Sequence, residues 1–223
     1  MVKTKMRNGK AVIRLLTLIV GLALALPVQA IPILPGGSGR PPGTNDFVLG
    51  DVLAANSVPF SGRDALGAVL FTGTLDTAVV VEAGSQTLNF LYGITNNANS
   101  TDGIPRMSVT NFAGFTTDIG WIDDGSGALG VDSVTRQPSG GTISFNFENF
   151  IRPGQETSLL FIKTNATDFH RGSATLINGG VAALNAFAPL GTPVAAPEPA
   201  SLLLLGSGLA GWVVWGRLRQ RPT

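Results

Sequence analysis

Hydrophobic and polar residues alternate strictly in the middle of this chain, and that period of two constrains the fold more than any other feature. In residues 142–149, Ile143, Phe145 and Phe147 fall on one side, and the residues between them are polar. Residues 88–94 repeat the pattern, with Leu, Phe, Tyr and Ile at every second position. Such alternation is typical of a β-strand with one face in the core.

Other segments are rich in the β-branched and aromatic residues that strands favour. They are residues 47–53, 68–72, 78–82, 106–112, 157–164, 173–177 and 181–187. Turn-forming residues occur between them at 101–103, 123–127, 138–141, 152–154 and 178–180. Short strands separated by such turns predict an all-β fold, with a single antiparallel β-sandwich domain over residues 45–188.

The first 30 residues have the three parts of a secretory signal peptide. Five Lys and Arg residues precede an apolar core from Leu15 to Leu26, and small residues follow at Val28 and Ala30. This order predicts a signal peptide over residues 1–30 that is cleaved after Ala30. An uncleaved N-terminal anchor is the alternative interpretation.

Three features follow one another near the other end of the chain. The short motif Pro197, Glu198, Pro199 precedes an apolar stretch, which predicts a transmembrane helix over residues 201–216. A helix from 200 to 216 measures roughly 25 Å at about 1.5 Å per residue, which is short for a hydrocarbon layer of roughly 30 Å. The basic tail, residues 217–223, would stop transfer and stay cytoplasmic. Its arginines are Arg217, Arg219 and Arg221.

Two segments rich in proline flank the predicted domain. Residues 31–44 also contain several glycines, and they predict a flexible lead-in. Residues 189–200 contain four prolines and predict a stiff, extended stalk that includes the Pro-Glu-Pro motif.

The motif, the apolar helix and the basic tail together resemble the PEP-CTERM sorting signal of exported proteins in Gram-negative bacteria. Residues 92–97, 152–169 and 176–180 also look like parts of PEP-CTERM ectodomains. The resemblance implies that an exosortase-type membrane enzyme processes the chain, which the C-terminal helix anchors transiently in the inner membrane. It also implies a final location at the cell surface or outside the cell, and an association with exopolysaccharide and biofilm.

Charge and composition exclude several classes of function. Residues 31–197 hold seven basic and thirteen acidic residues, so the net charge of the body is −6. An acidic body offers no basic surface for nucleic acid, and we expect no nucleic-acid partner. The chain has no cysteine, which excludes thiol chemistry and thiolate metal sites.

A cluster of acidic residues is the candidate metal site. Asp118, Asp123, Asp124 and Asp132 surround a glycine-rich stretch, and oxygen-rich loops of this kind can bind calcium. Their spacing does not match an EF-hand loop, so the alternative is a polar hairpin loop in which aspartates favour the turn.

Candidates for acid–base chemistry are few. His170 is the only histidine, and its neighbours predict a turn between two strands. We therefore expect it to be a solvent-exposed loop residue rather than a general base. The body has three glutamates, Glu82, Glu148 and Glu156, and nothing in their sequence context indicates a cleft. We therefore expect no enzyme activity, no catalytic residues and no cofactor.

These observations predict an exported cell-surface or extracellular-matrix protein whose body is a structural or adhesive module. A secreted carbohydrate-binding or hydrolytic domain is one alternative. A periplasmic protein that keeps its membrane anchor permanently is another.

Overall fold

The structure, a computed structural model, describes residues 30–45, 47, 50–81 and 84–191. All the regular secondary structure in these residues is β. The strands are β1 (Ile31–Pro32), β2 (Ser38–Gly39), β3 (Gly43–Thr44), β4 (Val52–Arg63), β5 (Val69–Val81), β6 (Leu88–Asn96), β7 (Ile104–Val109), β8 (Thr117–Ile122), β9 (Ser133–Arg136), β10 (Ile143–Ile151), β11 (Leu160–Thr164), β12 (Asp168–Asn178) and β13 (Gly180–Leu190).

The strands form one sheet rather than the two sheets of a sandwich. Their order is β1-β8-β11-β6-β5-β4-β13-β12-β7-β10-β9-β2, with β3 beside β8. All pairs are antiparallel except the short contact between β3 and β8. The sheet curves into a nearly closed barrel, so our prediction of a sandwich is wrong. Alternation with period two marks the buried face of a strand but does not distinguish two stacked sheets from one curved sheet.

The segment before β4 completes the sheet. Residues 31–44 were expected to be a flexible lead-in, but β1 pairs with β8 and β2 pairs with β9. Ile33 is 3% exposed and belongs to the core. Its N–H donates to the carbonyl oxygen of Thr117 at 3.0 Å. We call residues 31–44 the strap, because this segment connects the two ends of the sheet.

The core lies on the concave side of the sheet. The inward positions predicted from alternation are confirmed, because Ile143, Phe145 and Phe147 are all buried. They share one cluster with side chains from most of the sheet, including Phe71, Leu75, Phe90, Tyr92, Met107, Phe112, Ile119, Val134, Ile162 and Leu176. Burial of this many apolar side chains is the main force that stabilises a cysteine-free domain.

A second, smaller cluster lies on the outer face. Val80, Leu91 and Phe161 are buried there on β5, β6 and β11. The Phe47 ring packs on Phe161 with 4.5 Å between ring centroids, and Ala30 also packs against this cluster. The strand β6 is therefore buried on both faces.

Candidate functional site

Two of the four predicted calcium ligands, Asp123 and Asp124, form local turns. The carboxylate of Asp123 accepts the N–H of Gly125 at 3.3 Å, and that of Asp124 accepts the N–H of Ser126 at 2.9 Å. Two hydrogen bonds from Ser126 hold the pKa of Asp124 below its usual value, and the bond from the hydroxyl contributes more than the bond from the N–H. These are the local aspartate turns of a polar hairpin loop.

The other two aspartates have different surroundings. Asp132 accepts the N–H of Glu148 at 2.7 Å, and Asp118 lies in β8 between Pro32 and Lys163. Among the described residues, no three His, Cys, Asp or Glu side chains are grouped so that they could hold a metal ion. The structure therefore does not bring the four aspartates together as one ligand set.

The candidates for acid–base chemistry are also dispersed. We expected His170 to lie in a turn. Instead it lies in β12, where it pairs with Ala188 on β13. The prediction missed this because Asp168 and Gly172, which suggested a turn, lie within the long strand. Glu148 forms an exposed ion pair with Arg40 at 2.9 Å, Glu156 is exposed, and Glu82 lies outside the described residues.

Arg136 is a buried cation that the sequence analysis missed. It is 4% exposed, although it ends the edge-proximal strand β9. Its guanidinium uses all five N–H groups. They donate to the carbonyl oxygens of Gly140, Ile33, Phe112 and Phe115 and to the hydroxyl of Thr117, at 2.8–3.0 Å.

This arginine fixes the strap to the rest of the sheet. Burial lowers the pKa of Arg136 below its usual value, and the five acceptors stabilise the charge in place of water. One of them is Ile33 in the strap, which also accepts from the Thr117 hydroxyl at 3.0 Å. A sequence signal for this role exists: Arg136 is two residues from the inward-facing Val134, so alternation places it on the buried face.

A second buried polar centre lies at Asn96, at the end of β6. The buried amide of Asn96 donates to the carbonyl oxygens of Asp102 and Ile151 at 3.0 and 2.8 Å. Its backbone N–H donates to Gln155, and its carbonyl oxygen accepts from Gly154. This centre therefore joins the end of β6 to Asp102, to the end of β10 and to the Arg152–Gln155 turn.

The surface of the described residues includes shallow clefts. One is a groove of about 420 Å³ on the outer face of β4, β5 and β6, lined by Val52, Ala55, Ser57, Ala78, Val80 and Leu91 among others. A cleft of about 490 Å³ lies between the strap and the Gly114–Asp118 segment. Neither cleft contains a converging pair of carboxylates, since Asp76 and Asp118 are the only acidic residues in their respective linings.

The sorting signal predicted from the sequence lies outside the described residues. This applies to Pro197, Glu198 and Pro199, to the helix 201–216, to Arg217, Arg219 and Arg221, and to residues 1–29 of the signal peptide. Of the predicted cleavage site, only Ala30 is described. Across the part of the chain that is described, no helix has the length and apolar character needed to span a membrane.

Comparison with known families identifies the C-terminal segment. A family model described as the PEP-CTERM protein-sorting motif matches residues 195–219. This chain carries a PEP-CTERM sorting signal. The match includes Pro197, Glu198 and Pro199 and the first two arginines of the tail, Arg217 and Arg219. A PEP-CTERM signal indicates an exported protein that is targeted to exosortase, a membrane enzyme.

The family match covers only the sorting signal, not the body. No curated protein and no solved structure matches the chain. The function of the β body must therefore be argued from its own residues.

Proposed function

We propose that this PEP-CTERM protein is a structural or adhesive component of the cell surface or extracellular matrix. In this proposal, exosortase-type processing near Pro197–Ser201 releases the body from a transient anchor in the inner membrane. The observation that carries the proposal is the sorting signal at residues 195–219, joined to a body in which the buried guanidinium of Arg136 is used to hold the fold.

The buried polar groups support a structural rather than a chemical role. All five N–H groups of Arg136 bond to acceptors of the fold itself. The Tyr92 hydroxyl donates to the carbonyl oxygen of Phe187 at 3.0 Å, and the Asn96 amide joins two loops. A catalytic group needs a free, positioned atom that faces a substrate, and the donors of Arg136, Tyr92 and Asn96 are engaged within the fold. We propose accordingly that the body is not an enzyme.

A row of hydroxyls on the outer face supports exopolysaccharide as a partner. Thr175, Ser108, Ser144, Thr135 and Ser38 lie in register on five neighbouring strands, β12, β7, β10, β9 and β2. All five are at least partly exposed, and the hydroxyls of Ser108 and Ser144 are 2.8 Å apart. With about 4.8 Å between strands, the row presents regularly spaced donors and acceptors. Such an uncharged row suits a neutral, hydroxyl-rich polymer.

The sorting half of the proposal is tested by two changes at the C-terminal end. Deletion of Leu202–Thr223 should leave export intact but send the body to the medium or periplasm. Replacement of Pro197, Glu198 and Pro199 by alanine should leave the full-length chain in the inner membrane. Pro193→Ala, in the same proline-rich segment, is the matched control and should be processed normally. Normal surface retention of the triple-alanine variant would contradict the proposal and favour a permanent membrane anchor.

The polysaccharide half is tested by removing hydroxyls without changing shape. The double change Thr135→Val and Thr175→Val replaces two hydroxyls of the row with methyl groups. Binding to polysaccharide isolated from the producing cells should fall at least several-fold in a co-sedimentation assay. Thr167→Val, at an exposed position outside the row, is the control. Equal binding by the two variants would exclude the row as the contact surface.

A further inference from the structure

Among the described residues, one edge of strand β4 lacks a strand partner along most of its length. One side of β4 pairs with β5 from Val52 to Arg63. On the other side, the pair Arg63–Val181 is the only one that joins β4 to β13 among the described residues. We call residues Leu53–Pro59 on that side the free edge.

The exposure of β4 agrees with the missing partner. Val52 is 61% exposed and Leu53 is 50% exposed, which is unusual for large apolar residues in a strand. The strand becomes buried only towards its end, at Phe60 and Gly62, close to the pair with β13. An open edge of this kind is a template for pairing with another extended chain.

Pro59 shows which residues present their backbone to the open side. Proline has no N–H and cannot donate to β5, so it occupies a position whose backbone groups point away from β5. In a regular strand, every second residue shares this orientation. Ser57 and Ala55 therefore direct both their N–H and their C=O towards the free edge.

We propose that the free edge of β4 pairs with the free edge of a second copy of this chain, in an antiparallel two-fold contact. The register that uses all the available groups places Ala55 opposite Ser57 and Asn56 opposite Asn56. It forms four backbone hydrogen bonds and brings Leu53 of each copy beside Pro59 of the other. The contact is isologous, because the same residues serve on both sides.

Charge favours a second copy over a charged partner strand. Residues 52–62 contain no charged residue, whereas the body around them carries a net charge of −6. Two such bodies repel each other at most surfaces but not along this edge. The groove beside Ala55 and Ser57 is mostly apolar, with Asp76 on β5 as the one acidic residue of its lining.

The contact is expected to be weak and limited to pairs. It involves seven residues a side, whereas stable interfaces use about 20–30. The free edge is bounded by Pro59 at one end and by the register shift between Val52 and Ala54 at the other. The pairing therefore does not extend beyond two copies. The contact would give a cohesive role to the proposed surface module, but it does not depend on that function or on polysaccharide binding.

A single introduced thiol tests the proposal in the full-length exported protein. The chain has no cysteine, so Asn56→Cys gives one thiol per copy without background. In the expected register the two Cα atoms lie about 4.5 Å apart, within the range that a disulfide can bridge. Leu66→Cys, at a turn residue that is 94% exposed, is the control for random collisions.

We expect the Asn56→Cys variant to form at least fivefold more disulfide-linked dimer than Leu66→Cys under mild oxidation. Adding Ser57→Pro removes an outward N–H while keeping the ladder to β5, and adding Ser57→Lys puts a charge on the edge. Both should reduce the dimer to the control level, while Ser57→Ala should not. An unchanged melting temperature confirms that each variant is folded.

Two results would overturn the proposal. In the first, the thiol at position 56 reacts fully with a small maleimide but forms no more dimer than the control. In the second, this thiol is shielded from maleimide in the monomer, which would assign the edge to a segment of the same chain.

Discussion

The change Arg136→Met tests whether the buried guanidinium holds the strap in place. Methionine keeps much of the volume of the side chain but removes all five donors. The carbonyl oxygen of Ile33 keeps a bond from the Thr117 hydroxyl, and that of Phe112 keeps a bond from the N–H of Phe115. The carbonyl oxygens of Gly140 and Phe115 each lose the hydrogen bond that Arg136 gives them.

The cost follows from these lost partners. A buried acceptor left without a partner costs about 1–3 kcal/mol, so two of them reduce the free energy of unfolding by about 2–6 kcal/mol. At roughly 2–4 °C for each kcal/mol in a domain of this size, the midpoint of thermal unfolding should fall by at least several degrees. Arg136→Lys keeps one charged donor group, so its stability should lie between that of Arg136→Met and that of the native protein.

Thermal and urea unfolding of residues 31–191 measure this effect, because that fragment contains all the described strands and both apolar clusters. Arg171→Met, at an exposed position in β12, is the matched control and should change stability by no more than about 0.5 kcal/mol. Hydrogen exchange should also accelerate at the N–H of Ile33. An Arg136→Met protein within 1 kcal/mol of the native one, with Ile33 still protected, would refute the reasoning.

Three further predictions concern other parts of the core. Burial raises the pKa of Tyr92, the only tyrosine, above its usual value, so its stabilising contribution should be complete below about pH 10 and decrease as the pH rises further. Tyr92→Phe should therefore lower the free energy of unfolding by about 0.5–1.5 kcal/mol at neutral pH. Above pH 10 its stability to urea should decline less than that of the native protein, and an equal decline in both proteins would contradict this. Gly62→Ala should destabilise by about 1–3 kcal/mol, because its Cβ would lie 2.1 Å from the Phe71 ring, whereas Gly93→Ala meets only ordinary contacts at 3.8 Å. Asn96→Leu leaves the carbonyl oxygens of Asp102 and Ile151 without their amide partner and should cost about 2–5 kcal/mol in chemical unfolding, with Asn99→Leu as the exposed control.

The strands that the sequence predicted best are those with one buried face. The alternation at Ile143, Phe145 and Phe147 marks the inward side of β10 correctly. The strand β4 has long exposed stretches on both faces, so it has no clear alternation, and its last ten residues, 54–63, were missed. The strand β5 was predicted as two strands, because Gly73 and Asp76 interrupt its apolar pattern.

Closure of the sheet could not be predicted, because it depends on contacts that are distant in sequence. The pair Arg63–Val181 and the strap between β8 and β9 make one sheet out of two halves. The role of Arg136 in holding the strap depends on three segments that meet in the fold, namely the strap, residues 112–117 and the turn at Gly140. The sorting signal, in contrast, was predictable because its parts are contiguous in sequence, and the family match confirms it.

The most direct test of the sorting function is the intact mass of the protein recovered from the cell surface. We predict a chain that begins at Ile31 and ends near Pro197–Ser201, so that its mass excludes Trp212 and Trp215. A surface-exposed protein that still contains both tryptophans would contradict exosortase processing and would show that the apolar segment is retained as a permanent anchor.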